Sequence, residues 1–205
     1  MTALDLLLPP TCSGCGVAGT ACCATCLAGF GPPTRLQVPG VGPPVWTLAA
    51  YHGTARELVL AFKERGARAL AAWFGALVAA TLIAIGPPPW TLVPAPSRRS
   101  AARNRGGDHM LRIARETDIA TVAPILRLAP GVADSVGLTA IARRRNLAGR
   151  VEVRGPSPPG TTVLLDDVIT TGATASACVR ALRQAGVRTN AVLVLTSARP
   201  HRPGQ

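Results

Sequence analysis

Residues 161 to 174, TTVLLDDVITTGAT, limit the possible folds of this chain more than any other stretch. Val163, Leu164 and Leu165 run on without polar alternation, which suits a strand covered on both faces and so the middle of a parallel sheet. A Thr/Gly turn and a helix-compatible segment at 174 to 185 follow it, completing a strand-turn-helix unit. Such a unit needs others of its kind beside it. The chain supplies helix-like stretches at 54 to 65, 67 to 85 and around 135 to 146, and strand-like ones at 90 to 94, 162 to 166 and 190 to 196. Residues 101 to 118 read as an Arg-rich amphipathic helix interrupted by Gly106 and Gly107, and 122 to 128 as a short apolar segment. The expected class is α/β, a mostly parallel sheet with flanking helices.

Asp166 and Asp167 fall at the carboxyl end of the expected strand, the edge at which open α/β sheets bind ligands. After them, Gly172 allows close backbone approach, while Thr170, Thr171, Ala173 and Thr174 bring hydroxyls and first-turn amides suited to a phosphate. Carboxylates suit the opposite partner, sugar hydroxyls or a hydrated Mg²⁺. Together they ask for a diol next to a phosphate, as in a ribose 5-phosphate. Rival readings lack their companion motifs. A P-loop ATPase needs Gly-Lys, whereas Lys63, the only lysine, follows Phe62; a dinucleotide site needs G-x-G-x-x-G, and Gly172 stands alone. A helix merely capped by threonine leaves the acid pair unexplained.

Five of the six cysteines lie within residues 12 to 26. Cys12 with Cys15 and Cys23 with Cys26 have the C-x2-C spacing of metal knuckles, and four thiolates complete a closed, structural Zn²⁺ site with no open position for catalysis. Cys22 also lies within reach of Cys26; the paired spacing favours Cys23. Cys178, alone on the later helix, is expected to pack. The divisions expected are a Cys-rich zinc-binding head at 1 to 33, a loose Pro/Gly stretch to about residue 45, and an α/β domain at 45 to 200.

Twenty-two basic residues against ten acidic ones leave a net charge of +12. Arginine-rich chains suit polyanionic partners, and a GC-rich codon bias would also raise arginine without explaining its excess over acids. MTALDLLLPP has no basic leader region, so a cytoplasmic location is expected. The charge-free run at 69 to 85 is at the lower limit for a membrane span and mostly alanine, and a buried core helix is expected instead. His52, His109 and His201 form no zinc or triad pattern and read as ordinary surface or core.

VLLDDVITTGAT resembles the phosphoribosyl-pyrophosphate-binding signature of type I phosphoribosyltransferases. The resemblance implies that Asp166 and Asp167 hold the ribose hydroxyls and that Thr170 to Thr174 cradle the 5-phosphate, with Mg²⁺ on the pyrophosphate side. LVPAPSRRSAARNRGG, 92 to 107, resembles the same family's pyrophosphate loop at Ala95, Pro96, Ser97, Arg98 and Arg99. Arg98 and Arg99 are then candidates, with Asp166 and Asp167, for the catalytic set, since pyrophosphate departure separates charge that guanidinium donors stabilise.

The Cys-rich head, YHGTARELVLAFKERG at 51 to 66 with Tyr51, Gly53 and Lys63, the VPAP segment, ARRRNLAGRVEV at 142 to 153 and the signature stand in the order of the ComF family, the competence-associated phosphoribosyltransferase-like proteins. The chain is similar to that family along nearly its whole length. It departs from it at Arg105 to His109, where Arg-Gly-Phe-Asn-Gln is common, near Asp134, where a glutamine is usual, and near Val151, where an aromatic is common. The likeness implies a type I phosphoribosyltransferase fold over 45 to 200, Zn²⁺ and Mg²⁺ as cofactors, and phosphoribosyl pyrophosphate as ligand. It also implies a link to DNA uptake or processing, with single-stranded DNA and a helicase-like ATPase as partners. A non-enzymatic adaptor that keeps the phosphate loop for binding or sensing is the alternative. Three Trp, one Tyr and three Phe leave few platforms for base stacking.

Overall fold

The computed structural model describes residues 10 to 97, 107 to 129 and 150 to 199. Helix α1 (Ala24–Leu27) lies in the cysteine head, followed by β1 (Thr34–Leu36), β2 (Val45–Ala50), α2 (Gly53–Glu64), α3 (Leu70–Ile85) and β3 (Trp90–Pro94). After them come α4 (His109–Arg115), β4 (Ala120–Val122), β5 (Leu126–Leu128), β6 (Val151–Val153), β7 (Thr161–Ile169), α5 (Ala173–Gln184) and β8 (Ala191–Ser197). Six strands form one sheet in the order β1-β2-β8-β7-β3-β4, parallel throughout except for β1. The class is therefore α/β, with a mostly parallel sheet and a four-cysteine cluster near its start.

β7 sits between β3 and β8, and its alternating side chains feed two cores. Val163 and Leu165 join the side that carries α2, α3 and α4, while Leu164 joins the side covered by α5. The strand is longer than its apolar run. It extends through Ile169, pairing Val168 with Thr196 and Ile169 with Ser197, because β8 is buried along its full seven residues and keeps offering backbone partners. The acid pair therefore lies inside the strand.

Other expectations change in the same way. β1 arises within the stretch to about residue 45 that reads as loose, because it pairs with β2, and β2 begins where that stretch ends, since pairing with β8 makes a strand of VWTLAA that has no clean period of its own. The apolar segment at 122 to 128 divides at Ala123 and Pro124 into β4, on the main sheet, and β5, which pairs with β6 in a separate hairpin. Of the Arg-rich helix expected at 101 to 118, only His109–Arg115 is helical among the described residues: Gly107 has φ 136°, and Asp108 caps the helix by accepting from the Met110 and Leu111 amides. Residues 101 to 106 and the helix expected around 135 to 146 lie outside the described residues.

α3 is buried along one face only, through Leu70, Ala71, Phe74, Gly75, Val78, Thr81 and Leu82. Its other side leaves Trp73 and Ile83 in solvent, 39% and 69% exposed, so the charge-free run is a one-sided helix and not a fully buried one. Among the described residues no helix is long and apolar enough to cross a membrane. The cysteine head does not stand apart from the sheet. Cys12, Cys22, Cys26 and Phe30 share one core with Leu58, Phe62 and Phe74, and Phe30 meets Phe74 edge to face at 5.7 Å.

Candidate functional site

Strands β3 and β7 are parallel neighbours, with Pro94 opposite Leu165, so the segments that follow them leave the same edge of the sheet side by side. Ala95, Pro96 and Ser97 follow β3, and Thr170 to Thr174 follow β7. The Ala95 amide donates to the Leu165 carbonyl at 2.8 Å, which ties the first of these segments to the strand that carries the acids. Arg98 and Arg99, expected to continue it, lie outside the described residues.

Strand alternation sends Asp166 and Asp167 to opposite faces. Asp167 is buried, 5% exposed, on the side of α2 and α4. Its Oδ2 receives Lys63 Nζ at 2.7 Å and His109 Nε2 at 2.9 Å, and its Oδ1 receives the Val168 amide at 2.7 Å. Burial alone would raise the pKa of this carboxyl. The His109 hydrogen bond and the Lys63 charge outweigh that and hold it well below the usual carboxylate range. For Lys63, burial pulls downward and the charge of Asp167 more than compensates, so its ammonium is held more firmly than usual. Asp166 is half-buried on the α5 side, and one of its oxygens accepts the Asp167 amide at 2.9 Å. Burial first, and the Asp167 charge second, push it up to about 7. The pair is thus one fixed anion and one group poised between charged and neutral.

The turn beyond β7 is built around Gly172, whose φ of 79° suits glycine. A Cβ there would lie 2.5 Å from Val38 Cγ1, so the stretch between β1 and β2 also requires glycine at this point. Thr171 Oγ1 accepts the Ala173 amide at 3.3 Å and starts α5, whose remaining first-turn amides have no carbonyl within the helix. Thr170 is exposed, Thr171 and Thr174 are half-buried, and Ala173 is buried. The Arg199 guanidinium reaches the Thr170 carbonyl at 3.4 Å and adds a cation beside the turn. An anion seated at this turn would meet amides, hydroxyls and that guanidinium together.

Three residues at this edge were not read as site residues from the sequence. Lys63 matches the family resemblance, yet its only other signal in the sequence is being the sole lysine of an arginine-rich chain. In the sequence His109 has no pattern beyond ordinary surface or core; in the fold its Nδ1 lies 3.2 Å from Ser97 Oγ while its Nε2 bonds Asp167. No local pattern links positions so far apart in the chain. Arg199 follows the last strand without any motif around it.

In the head, the sulfur atoms of Cys12, Cys15, Cys23 and Cys26 all lie within 4.8 Å of one another. Four thiolates about 2.3 Å from a tetrahedral Zn²⁺ would stand roughly 3.8 Å apart. The Cys15 and Cys23 sulfurs are 3.7 Å apart, so the donor set fits such an ion. Burial pushes the Cys12 thiol up, but amide hydrogen bonds led by that of Cys23 outweigh it and bring it down to about 6. Burial raises Cys26, and a divalent cation among the four sulfurs would hold them all ionised. Cys22 turns elsewhere, its thiol donating to the Cys23 carbonyl at 3.8 Å, and burial pushes it up to about 11. Cys178 is fully buried in the core beneath α5.

No protein-family model matches the chain, and no curated protein matches it. Among solved structures it is similar to a hypoxanthine phosphoribosyltransferase from Staphylococcus aureus, at 13% identity over 68% of this chain and 70% of that one, with a TM-score of 0.37. It is also similar to a hypoxanthine phosphoribosyltransferase from Trypanosoma cruzi, a variant in a ternary substrates complex, at 16% identity over 70% and 73% of the two chains, with a TM-score of 0.37. Likeness that loose carries no conclusion about what this chain binds.

Proposed function

We propose that this chain is a phosphoribosyltransferase-like protein that binds phosphoribosyl pyrophosphate, or another ribose 5-phosphate ligand, with Mg²⁺ at the carboxyl edge of β3 and β7. The observation that carries the reading is the convergence at one edge of an acid-bearing strand, a glycine turn opening α5, and the Ala95 to Ser97 segment. In this reading the α5 start, with Thr170, Thr171, Gly172, Ala173 and Thr174, takes the 5-phosphate. The acid pair serves the ribose hydroxyls, and Ala95, Pro96 and Ser97 lead into Arg98 and Arg99, the donors for the pyrophosphate. Mg²⁺ would neutralise charge on that pyrophosphate. Loss of pyrophosphate leaves positive charge on the ribose and negative charge on the departing group, so these arginines would stabilise the transition state more than the ground state. The head, through Cys12, Cys15, Cys23 and Cys26, is read as a structural Zn²⁺ site, and membership in the ComF family belongs to the same proposal.

Calorimetry with phosphoribosyl pyrophosphate and Mg²⁺ tests it. A wild-type chain that takes up no ligand, or a folded Asp166→Asn/Asp167→Asn chain with unchanged affinity, overturns the assignment. Release of pyrophosphate in the presence of candidate acceptors then separates an enzyme from a binder.

The net charge of +12 favours a second reading, an adaptor that holds single-stranded DNA through its backbone, in a DNA-uptake or DNA-processing setting beside a helicase-like ATPase. Fluorescence anisotropy across salt concentrations should then show affinity falling steeply as salt rises. A flat response rejects this reading.

A further inference from the structure

We propose that His109 is a positioning residue that, with Lys63, reserves Asp167 as a fixed internal anchor and leaves Asp166 as the carboxylate that meets the ligand. The proposal rests on the ligand reading above and replaces its symmetric acid pair with a divided one.

Three donors occupy most of the acceptor capacity of the buried Asp167 carboxylate. Oδ2 is shared by an ammonium at 2.7 Å and an imidazole at 2.9 Å, and Oδ1 is held by the Val168 amide. A sugar hydroxyl would find only the remaining site on Oδ1 of a carboxylate that is 5% exposed, and displacing Lys63 or His109 to gain more would leave an uncompensated buried charge. Asp166, on the other face and half-buried, carries no such pair among the described residues. Lys63 by itself would suffice to neutralise Asp167. What His109 adds is geometry: one rigid ring spans Ser97 Oγ at 3.2 Å and Asp167 Oδ2 at 2.9 Å. Its neighbour Asp108 holds the same serine from the other side, accepting the Ser97 amide at 3.2 Å while capping α4. Through Asp108 and His109 the start of α4 thus ties the Ala95 to Ser97 segment to the acid-bearing strand. Phe62 packs edge to face on the His109 ring at a centroid distance of 6.2 Å and fixes its plane. A glutamine amide can donate to Asp167 much as Nε2 does, but its freer chain does not fix a second polar atom where Nδ1 meets Ser97 Oγ.

The test compares Asp166→Asn, Asp167→Asn, His109→Gln and His109→Ala by thermal melting and by calorimetry with phosphoribosyl pyrophosphate and Mg²⁺. Asp166→Asn should lose affinity at least about tenfold, equal to roughly 1.4 kcal/mol, with no loss of Tm. Asp167→Asn should lower Tm. His109→Ala should weaken binding by a similar factor at a temperature where it is folded, and His109→Gln should fall between it and the wild type. Asp167→Asn with an unchanged Tm and affinity lost as fully as in Asp166→Asn overturns the proposal, as does a folded His109→Ala with affinity within about twofold of wild type. A wild-type chain that binds no phosphoribosyl pyrophosphate sinks the ligand reading alone. The positioning role is then decided by NMR of ¹⁵N-histidine protein, with the His109 signals assigned by their loss in His109→Gln. Nε2 should carry a proton in slow exchange that is perturbed in Asp167→Asn. A ring that exchanges as freely as that of His52 and ignores Asp167→Asn rejects the role.

Discussion

The adjacent acids Asp166 and Asp167 differ because a strand separates what the sequence puts together. Asp166 holds a proton in the folded chain between its ordinary value of 3.8 and about 7, where the unfolded chain would have released it. Its contribution to stability therefore falls as pH rises through that window. Asp166→Asn should melt above the wild type just beyond the window and level with it below, as thermal melts across pH would show. Asp167 has the opposite sign: its pKa is depressed on folding, so its contribution is present above the unfolded value and lost as pH falls. Asp167→Asn should accordingly cost most stability at neutral pH and flatten the acid limb of the same curve. Ligand binding should follow Asp166. Affinity for phosphoribosyl pyrophosphate should rise as pH passes about 7, and calorimetry should find that rise reduced in Asp166→Asn. The sequence announces both carboxylates, but Lys63 and His109 carry no local sign of meeting Asp167, since α2 and α4 bring them in from distant parts of the chain.

At the level of elements, the strand-turn-helix unit was legible because its signals are local: an apolar run, then glycine, then helix formers. β3, α2, α3, α5 and β8 appear within a few residues of where periodicity puts them. Elements defined by their partners were not legible. β2 is a strand because β8 lies beside it, and β7 outlasts its apolar stretch for the same reason. Gly172 joins the two kinds of information, with a left-handed backbone that the turn demands and a Val38 contact that only packing reveals. Gly172→Ala should cost about 1 kcal/mol from the backbone alone, with the Val38 clash added to it. Measured in a Val38→Ala background, the cost of Gly172→Ala should shrink to the backbone part, a difference that denaturant melts of both single variants and the double variant would resolve. Phe74, 1% exposed and in contact with both Phe30 and Phe62, should cost about 3 to 5 kcal/mol when cut to alanine, by the same measurement.

Over the whole molecule, the head and the sheet share a core. A Cβ on Gly14 would stand 2.8 Å from Cys26 Sγ and 3.4 Å from Leu58 Cδ2, so the cysteine cluster is seated directly on α2. Metal at the cluster then stabilises more than the head. Chelation should lower the Tm of the whole chain in one cooperative transition, and an early transition confined to a minor fraction of the signal would contradict the shared core. Metal analysis should find about one Zn²⁺ per chain, lost in Cys23→Ser and kept in Cys22→Ser, following the one site that four converging sulfurs make.

By itself the sequence determined the α/β class, the paired cysteine spacing, and the presence of a carboxylate pair followed by a glycine turn, because each of these is written in residues a few positions apart. Tertiary structure alone decided which carboxylate is buried, what neutralises it, and that the head rests on α2. Those outcomes depend on strand alternation and on side chains converging from separate elements, and packing, not local periodicity, sets such contacts.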